Sequence, residues 1–325
     1  MNRQNQNVLI QEYDEQMTQK YQEVIQDGNL IISGDPDITS LKFIEKFNIH
    51  TLNLSINDTI KLQSKTIKKL IIQIPLFQED QILNLNIDDL ELENLEVLLL
   101  NNNNLENDQL NNLSKFKKLR NLDVSCNNVD LTHLHNVTSL TKLSMQACGL
   151  QNIGLYSISR LVNLKELNIM SNEGVDITPL GDLPGLVSLD LGSCGLKQLS
   201  ALKPLVNLRF LDVSFNSNIN ISDLCFLRSL TDLLLVQCDL VSIYALKSMV
   251  NLENLNISYN NIVYLDAICN MTNLQATKYK ISPKSKTRIF IITLNTKKSQ
   301  LKMKCSRPTN SEPLKELLKN VSKFI

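Results

Sequence analysis

One spacing rule dominates the chain. Aliphatic residues recur as L-x-x-L-x-L-x-x-N/C-x-L, first at Leu95-Leu98-Leu100-Asn103-Leu105 and Leu119-Leu122-Val124-Asn127-Val129. The pattern continues at Leu140-Leu143-Met145-Cys148-Leu150, Leu164-Leu167-Ile169-Asn172, Leu186-Leu189-Leu191-Cys194-Leu196 and Leu208-Leu211-Val213-Asn216. It closes at Leu230-Leu233-Leu235-Cys238-Leu240 and Leu252-Leu255-Ile257-Asn260-Ile262. The eight starts, at residues 95, 119, 140, 164, 186, 208, 230 and 252, lie 24, 21, 24, 22, 22, 22 and 22 residues apart. A unit this short cannot bury its own apolar side, so copies must stack on one another and the chain must be a repeat array.

With the first Leu as place 1, places 4 and 6 are two residues apart and point to one face of a short strand. Leu189 and Leu191 turn inward and Asp190 between them turns outward. Parallel stacking of one strand per repeat builds a continuous sheet over a continuous core. The Asn or Cys at place 9 comes where the chain leaves the strand, and its side chain is expected to bond backbone groups that the bend leaves unpaired.

That place alternates: Cys148, Asn172, Cys194, Asn216, Cys238, Asn260. The deeper period is therefore two repeats, with starts at 164, 208 and 252 separated by 44 each. The repeats of Asn172 and Asn216 also share one inserted residue, in Asn172-Glu173-Gly174-Val175 and Asn216-Ser217-Asn218-Ile219. The cysteines on this ladder read as structural. The 7 cysteines contain no C-x-x-C pair, so neither a disulfide framework nor a zinc site is expected. Between strands, Leu196, Leu199, Leu202, Leu205 and Leu208 recur every third residue, as do Leu240, Ile243, Leu246, Met249 and Leu252. That period suits 3₁₀-like or irregular turns.

The ends depart from the pattern. Ile49-Leu52-Leu54-Asn57 and Ile67-Leu70-Ile72 read as two degenerate copies. Tyr13, Met17, Tyr21, Val24 and Ile25 share a helical face closed by Asp27-Gly28, which predicts an N-terminal helical cap over residues 8–33, within a cap region of residues 1–40. The repeat region spans 41–274 and a basic C-terminal cap or tail spans 275–325. Within the tail, Ile289 to Leu294 reads as a strand, Leu314, Leu317, Leu318 and Val321 as a short helix, and Pro283–Arg288 and Thr296–Pro308 as basic loops.

Charge follows the same division. The whole chain balances 33 Lys and Arg against 33 Asp and Glu, but residues 275–325 hold 13 bases and 2 acids, leaving 20 bases and 31 acids in residues 1–274. An acidic body carries a basic tail. No window approaches the ~18 consecutive apolar residues of a membrane span. The polar start, Met1 to Asn7, does not read as a secretory leader, and a cytoplasmic protein is expected, with the nucleus as the alternative. Phosphate-binding, nucleophile-elbow and zinc-protease motifs are missing, so a non-catalytic protein without cofactor or metal is expected. His133 and His135 form an H-x-H pair that reads as a solvated surface pair.

The unit resembles the 22-residue class of leucine-rich repeats, which includes the leucine-rich-repeat regulatory subunit of type 1 protein phosphatase and the repeat domains of bacterial internalins. The resemblance covers roughly residues 40–275. It implies an α/β solenoid: a curved right-handed horseshoe with a parallel concave sheet and short 3₁₀ or irregular convex segments. It also implies a scaffold or regulatory subunit that captures a protein partner on the concave face. A phosphatase catalytic subunit is one partner the resemblance suggests, and a monomer with no small-molecule substrate is expected.

Places 3, 5, 7 and 8 face outward on that sheet, and they select a candidate surface. Phe210, Phe215, Leu234, Val236 and Tyr259 fall beside Asp190, Asp212 and Asp232. Aromatic anchors rimmed by acids suit a partner with basic and apolar groups. The three Asp read as an acidic stripe, one per repeat, rather than as a calcium site, because no Gly-containing ligand loop accompanies them. The basic stretch from Lys278 to Lys304 offers a different function, a nucleic-acid or anionic-membrane adaptor. Against it, the stretch has no RNA-binding motif and only Tyr279 and Phe290 as stacking aromatics.

Overall fold

A computed structural model describes residues 27–33, 44, 47–55, 61–73, 83, 85–129, 132–150, 152–262, 267–268, 271, 273–274, 276–280, 289–295 and 300–305. Residues 8–26 of the helical cap expected at 8–33, the basic loop expected at 283–288 and the helix expected at 314–321 lie outside them. The chain divides into two compact units, Met1–Asn163 and Leu164–Ile325.

The first unit contains β1 (Asn29–Ser33), β2 (Thr51–Ser55), β3 (Leu62–Ser64), β4 (Lys69–Gln73), β5 (Leu90–Leu92), β6 (Val97–Leu99), β7 (Asn121–Asp123) and β8 (Lys142–Ser144). Strands β1, β2, β4, β6, β7 and β8 pair in parallel, while β3 and β5 form a separate parallel pair. Leu30, Leu52, Leu70, Leu98, Leu122 and Leu143 stand level across the larger sheet and are all buried. The two degenerate copies are thus β2 and β4. Asn29–Ser33, inside the segment expected to be a cap, is a strand: after the left-handed turn at Asp27 and Gly28 its alternation places Leu30 and Ile32 in the core and Ile31 outside. One α-helix, α1 (Asn152–Ile158), replaces the 3₁₀ turn in its repeat.

The second unit contains β9 (Glu166–Asn168), β10 (Ser188–Asp190), β11 (Phe210–Asp212), β12 (Asp232–Leu234), β13 (Asn254–Asn256) and β14 (Ala276–Lys280), all parallel. Two antiparallel strands follow, β15 (Ile289–Asn295) and β16 (Gln300–Cys305). The expected strand in the tail is β15. The expected basic loop at 296–308 is corrected in part, because residues 300–305 form β16; alternating Leu301, Met303 and Cys305 with Lys302 and Lys304 is strand patterning that the lysines obscured.

The period of three has a direct backbone cause. In the repeat starting at residue 186, the amides of Leu202, Leu205 and Leu208 donate to the carbonyls of Leu199, Leu202 and Leu205 at 2.9–3.0 Å. The same chain of three-residue bonds runs through Ile221, Leu224, Leu227 and Leu230 and through Ile243, Leu246, Met249 and Leu252. Each buried side chain is therefore eclipsed by the next, as a 3₁₀ backbone requires. Short 3₁₀ helices result at Thr178–Asp182, Ser200–Leu202, Ser222–Phe226 and Tyr244–Ser248. With the place 4 and place 6 side chains these residues make a sealed core, Leu189, Leu191, Leu202, Leu211, Leu224, Leu233 and Leu246 all being buried.

Candidate functional site

The outward face of the second sheet is set by bonds made at its edges. Where the strands begin, one carbonyl per repeat receives two amides of the next: Val187 O accepts from Arg209 and Phe210, and Arg209 O from Thr231 and Asp232. Where they end, place 8 takes a left-handed conformation in every repeat, at Ser171, Ser193, Phe215, Gln237 and Tyr259 with φ between 52° and 61°. This turn swings the chain off the sheet and lets its amide reach the next repeat, as Phe215 N–H does to Val236 O at 2.7 Å. A β-branched residue disfavours such a φ, and none stands at these five positions.

The ladder behind this turn explains the Asn/Cys alternation. Asn216 accepts the amides of Cys194 and Leu196 on Oδ1 (3.1 and 2.9 Å) and donates from Nδ2 to Leu191, Val213 and Ser214 carbonyls. Asn260 repeats the set with Cys238, Leu240, Leu235, Ile257 and Ser258. A thiol donates but accepts poorly: Cys194 and Cys238 donate to Ile169 O and Val213 O at 3.2 and 3.3 Å, and their sulfurs are only weak acceptors for the Asn172 and Asn216 amides that face them. The second amide that an Asn would have received, two residues further on, goes elsewhere. The extra residue supplies the route: Gly174 N–H and Asn218 N–H, both with positive φ, donate to the carbonyls of Cys194 and Cys238. Burial pushes the Cys148, Cys194 and Cys238 thiols up to about 11, so they are protonated and unreactive at neutral pH.

Place 5 carries a second bond type that the sequence pattern did not reveal. Asp190 Oδ1 accepts Gly192 N–H at 3.0 Å and Asp212 Oδ1 accepts Ser214 N–H at 2.8 Å; Asn168 and Asn256 do the same for Met170 and Ser258. Each is an Asx turn that starts the bend. Leu234 at this place cannot do so, and Ser214 Oγ of the preceding repeat takes the Val236 amide instead, at 3.0 Å. Asp190 and Asp212 are therefore structural as well as charged. Desolvation pushes the Asp190 carboxyl above its usual range and the neighbouring Asp212 charge adds to this, while the Gly192 bond opposes it.

The register fixes which candidate residues meet. Asp190, Asp212 and Leu234 stand level, and so do Ser188, Phe210 and Asp232. The expected stripe of three Asp is corrected accordingly: Asp232 sits two positions earlier on its strand, beside Phe210, and not in line with Asp190 and Asp212. It is held by Thr231 Oγ1 at 2.7 Å and Asn254 Nδ2 at 2.6 Å, two residues that motif reasoning passed over. At place 7 the expectation of outward residues holds for Val236, which is half-buried, but Gly192, Ser214 and Ser258 are buried. At place 8 Gln237 stands between the repeats of Phe215 and Tyr259, so these aromatics are two repeats apart. Phe215 is 47 % exposed; Phe210, Asp212, Asp232, Leu234 and Tyr259 are half-buried. A separate polar groove of about 610 Å³ runs along the strand starts, lined by Lys165, Val187, Arg209, Thr231 and Glu253 among others.

In the first unit His135 Nδ1 bonds Thr132 O at 2.8 Å, within its own 3₁₀ turn, and the His133 side chain lies outside the described residues. Among the described residues no group of three or more His, Cys, Asp or Glu is placed to hold a metal ion, and no helix is long and apolar enough to cross a membrane.

A chain of parallel three-residue strands joined by 3₁₀ turns over Asn ladders is a leucine-rich-repeat solenoid, and solved structures share it. An internalin (inlF) from Listeria monocytogenes aligns over 77 % of this chain and 72 % of its own, with 24 % identity and a TM-score of 0.59. A second internalin from that organism, internalin C2, aligns over 51 % of this chain and 74 % of its own at 28 % identity and TM-score 0.48. TLR13 in its complex with ssRNA13 aligns over 78 % of this chain and 49 % of its own at 17 % identity and TM-score 0.49. No protein-family model matches the chain, and no curated protein matches it. The inlF alignment establishes the fold.

Proposed function

We propose that this protein is a non-catalytic scaffold that captures a protein partner on the open sheet face of its second unit, through Phe210, Phe215, Leu234, Val236 and Tyr259 with Asp190, Asp212 and Asp232. The observation that carries the reading is the exposure of Phe215 at a place where a small polar side chain suffices, as Ser171 and Ser193 show in the same turn. Keeping a large ring half in water has no benefit to folding, whereas a ring held on a rigid turn loses little entropy when a partner covers it. The acids beside it select cationic groups and speed their approach.

Capture by a preformed surface involves no bond chemistry. Replacing Phe210, Phe215 and Tyr259 together with Ala is expected to abolish partner capture from native lysate while leaving the melting temperature within a few degrees. Phe215 and Tyr259 exchange one left-handed Cβ residue for another, so the turns themselves are not strained further. Undiminished capture by the triple variant would refute the proposal.

A further inference from the structure

Along the strands of the second unit, level register positions hold acids towards one end and lysines towards the other. Its level rows read Glu166, Ser188, Phe210, Asp232, Asn254, Ala276 and Asn168, Asp190, Asp212, Leu234, Asn256, Lys278. Thr277 is in register with the buried Leu255, so Lys278 and Lys280 hold the alternate positions of β14. The antiparallel pairing carries that alternation on: Lys278 is level with Ile291, and Ile291 with Lys304, which places Lys302 and Lys304 at positions of the same face. From β9 to β12 the positions of these two rows hold Glu166, Asp190, Asp212 and Asp232 and no base; β14 and β16 hold four lysines and no acid; β13 between them offers Asn254 and Asn256.

We infer that the partner of this face is a single elongated segment of another protein that crosses the strands, cationic over β10–β12 and anionic over β14–β16, with apolar side chains on Phe210 and Leu234. The inference rests on the proposal that this face binds protein and adds the chemistry and direction of what it binds. From β10 to β16 the six strand spacings cover roughly 29 Å, which is the length of a helix of about 20 residues. A uniformly basic segment would meet like charge at the lysines, and a polyanion such as nucleic acid would meet it at the acids, so neither fits the full length. Two free carboxylate oxygens, one each on the level neighbours Asp190 and Asp212, complement a guanidinium, because each residue commits its other oxygen to the turn amide.

The test uses synthetic 20-residue amphipathic peptides and the full-length protein. One peptide has Arg and Lys in its first half and Glu in its second; a second has the same composition with the charges alternating; a third is basic throughout. Titration at low and physiological salt is expected to show the bipolar peptide binding at least about tenfold more tightly than the other two. A photo-crosslinker at its cationic end should label residues 166–234, and one at its anionic end residues 276–305. The variant Asp190→Asn/Asp212→Asn/Asp232→Asn, which keeps an acceptor for each turn amide and so keeps the fold, should erase the preference, as should Lys278→Glu/Lys280→Glu/Lys302→Glu/Lys304→Glu. Equal affinities for the bipolar and alternating peptides, or labelling without direction, would overturn the inference. So would a salt-sensitive dimer that excludes all three peptides, since the face would then belong to a second copy. If the peptides show no polarity but the Phe210, Phe215 and Tyr259 variant still loses its native partner, the binding face stands and its bipolar partner does not.

Discussion

At the scale of single residues, the Asn and Cys of place 9 look interchangeable in the motif but are not so in the structure. Asn216 serves two buried amides and three carbonyls, while Cys194 donates to two carbonyls and offers only a sulfur, a weak acceptor, to the Asn172 amide. Asn216→Ala should cost about 3–5 kcal/mol in urea unfolding, because the amides of Cys194 and Leu196 are left unserved, and Asn216→Cys somewhat less, because a sulfur is a weak acceptor for one of them. Cys194→Ser, which keeps a donor to Ile169 O, should cost about 1 kcal/mol. The raised thiols also give stability a pH signature. Between pH 9 and about 11 the unfolded chain loses thiol protons that the folded one keeps, so stability attributable to Cys148, Cys194 and Cys238 is whole below 9 and falls as pH rises through that window. Native protein at pH 8 should accordingly resist alkylation at these three thiols until it unfolds. For Asp190 the folded carboxyl binds its proton more tightly than the unfolded one, so ionising it above the usual carboxylate range costs stability. Asp190→Asn keeps the bond to Gly192 and should raise the melting temperature at pH 7, a gain that vanishes near pH 3, while weakening capture of a cationic partner. An equal gain over wild type at both pH values would contradict the assigned cause.

At the scale of the repeat, much was legible because the apolar positions obey geometry. Leu199, Leu202, Leu205 and Leu208 announce a three-residue backbone, and the amide-to-carbonyl bonds between them supply it. Leu202→Ala should remove about 2–4 kcal/mol through the cavity left in a closed core. The left-handed turn at place 8 was not legible, since Ser193, Phe215, Gln237 and Tyr259 share no side-chain chemistry and differ only in not being β-branched. Phe215→Val should therefore cost about 1–2 kcal/mol where Phe215→Asn costs little, a contrast that circular-dichroism melting resolves. The Asx turns were hidden for a related reason. Asp190 and Asp212 look like binding acids in a motif that names only apolar and ladder positions, and Ser214 replaces them from a neighbouring repeat where Leu234 intervenes. The strand at 300–305 is hidden in the sequence because its lysines dominate its composition.

At the scale of the whole molecule, the formal neutrality of the chain resolves into a direction within the second unit, acids on β9–β12 and lysines at register positions of β14 and β16. A face with such a gradient does little for folding, which the Leu core and the Asn ladders already secure, and its exposed Phe215 has no role in either. Binding is the use that accounts for both. The most direct measurement compares partner capture from native lysate by three proteins matched in thermal unfolding: wild type, the Phe210→Ala/Phe215→Ala/Tyr259→Ala variant, and a control with the exposed Val241, Phe226 and Tyr244 changed to Ser. A binding function of the open sheet face predicts the same partner with wild type and control and none with the first variant. Capture that survives the sheet-face substitutions, or that is lost only with the control, would contradict it.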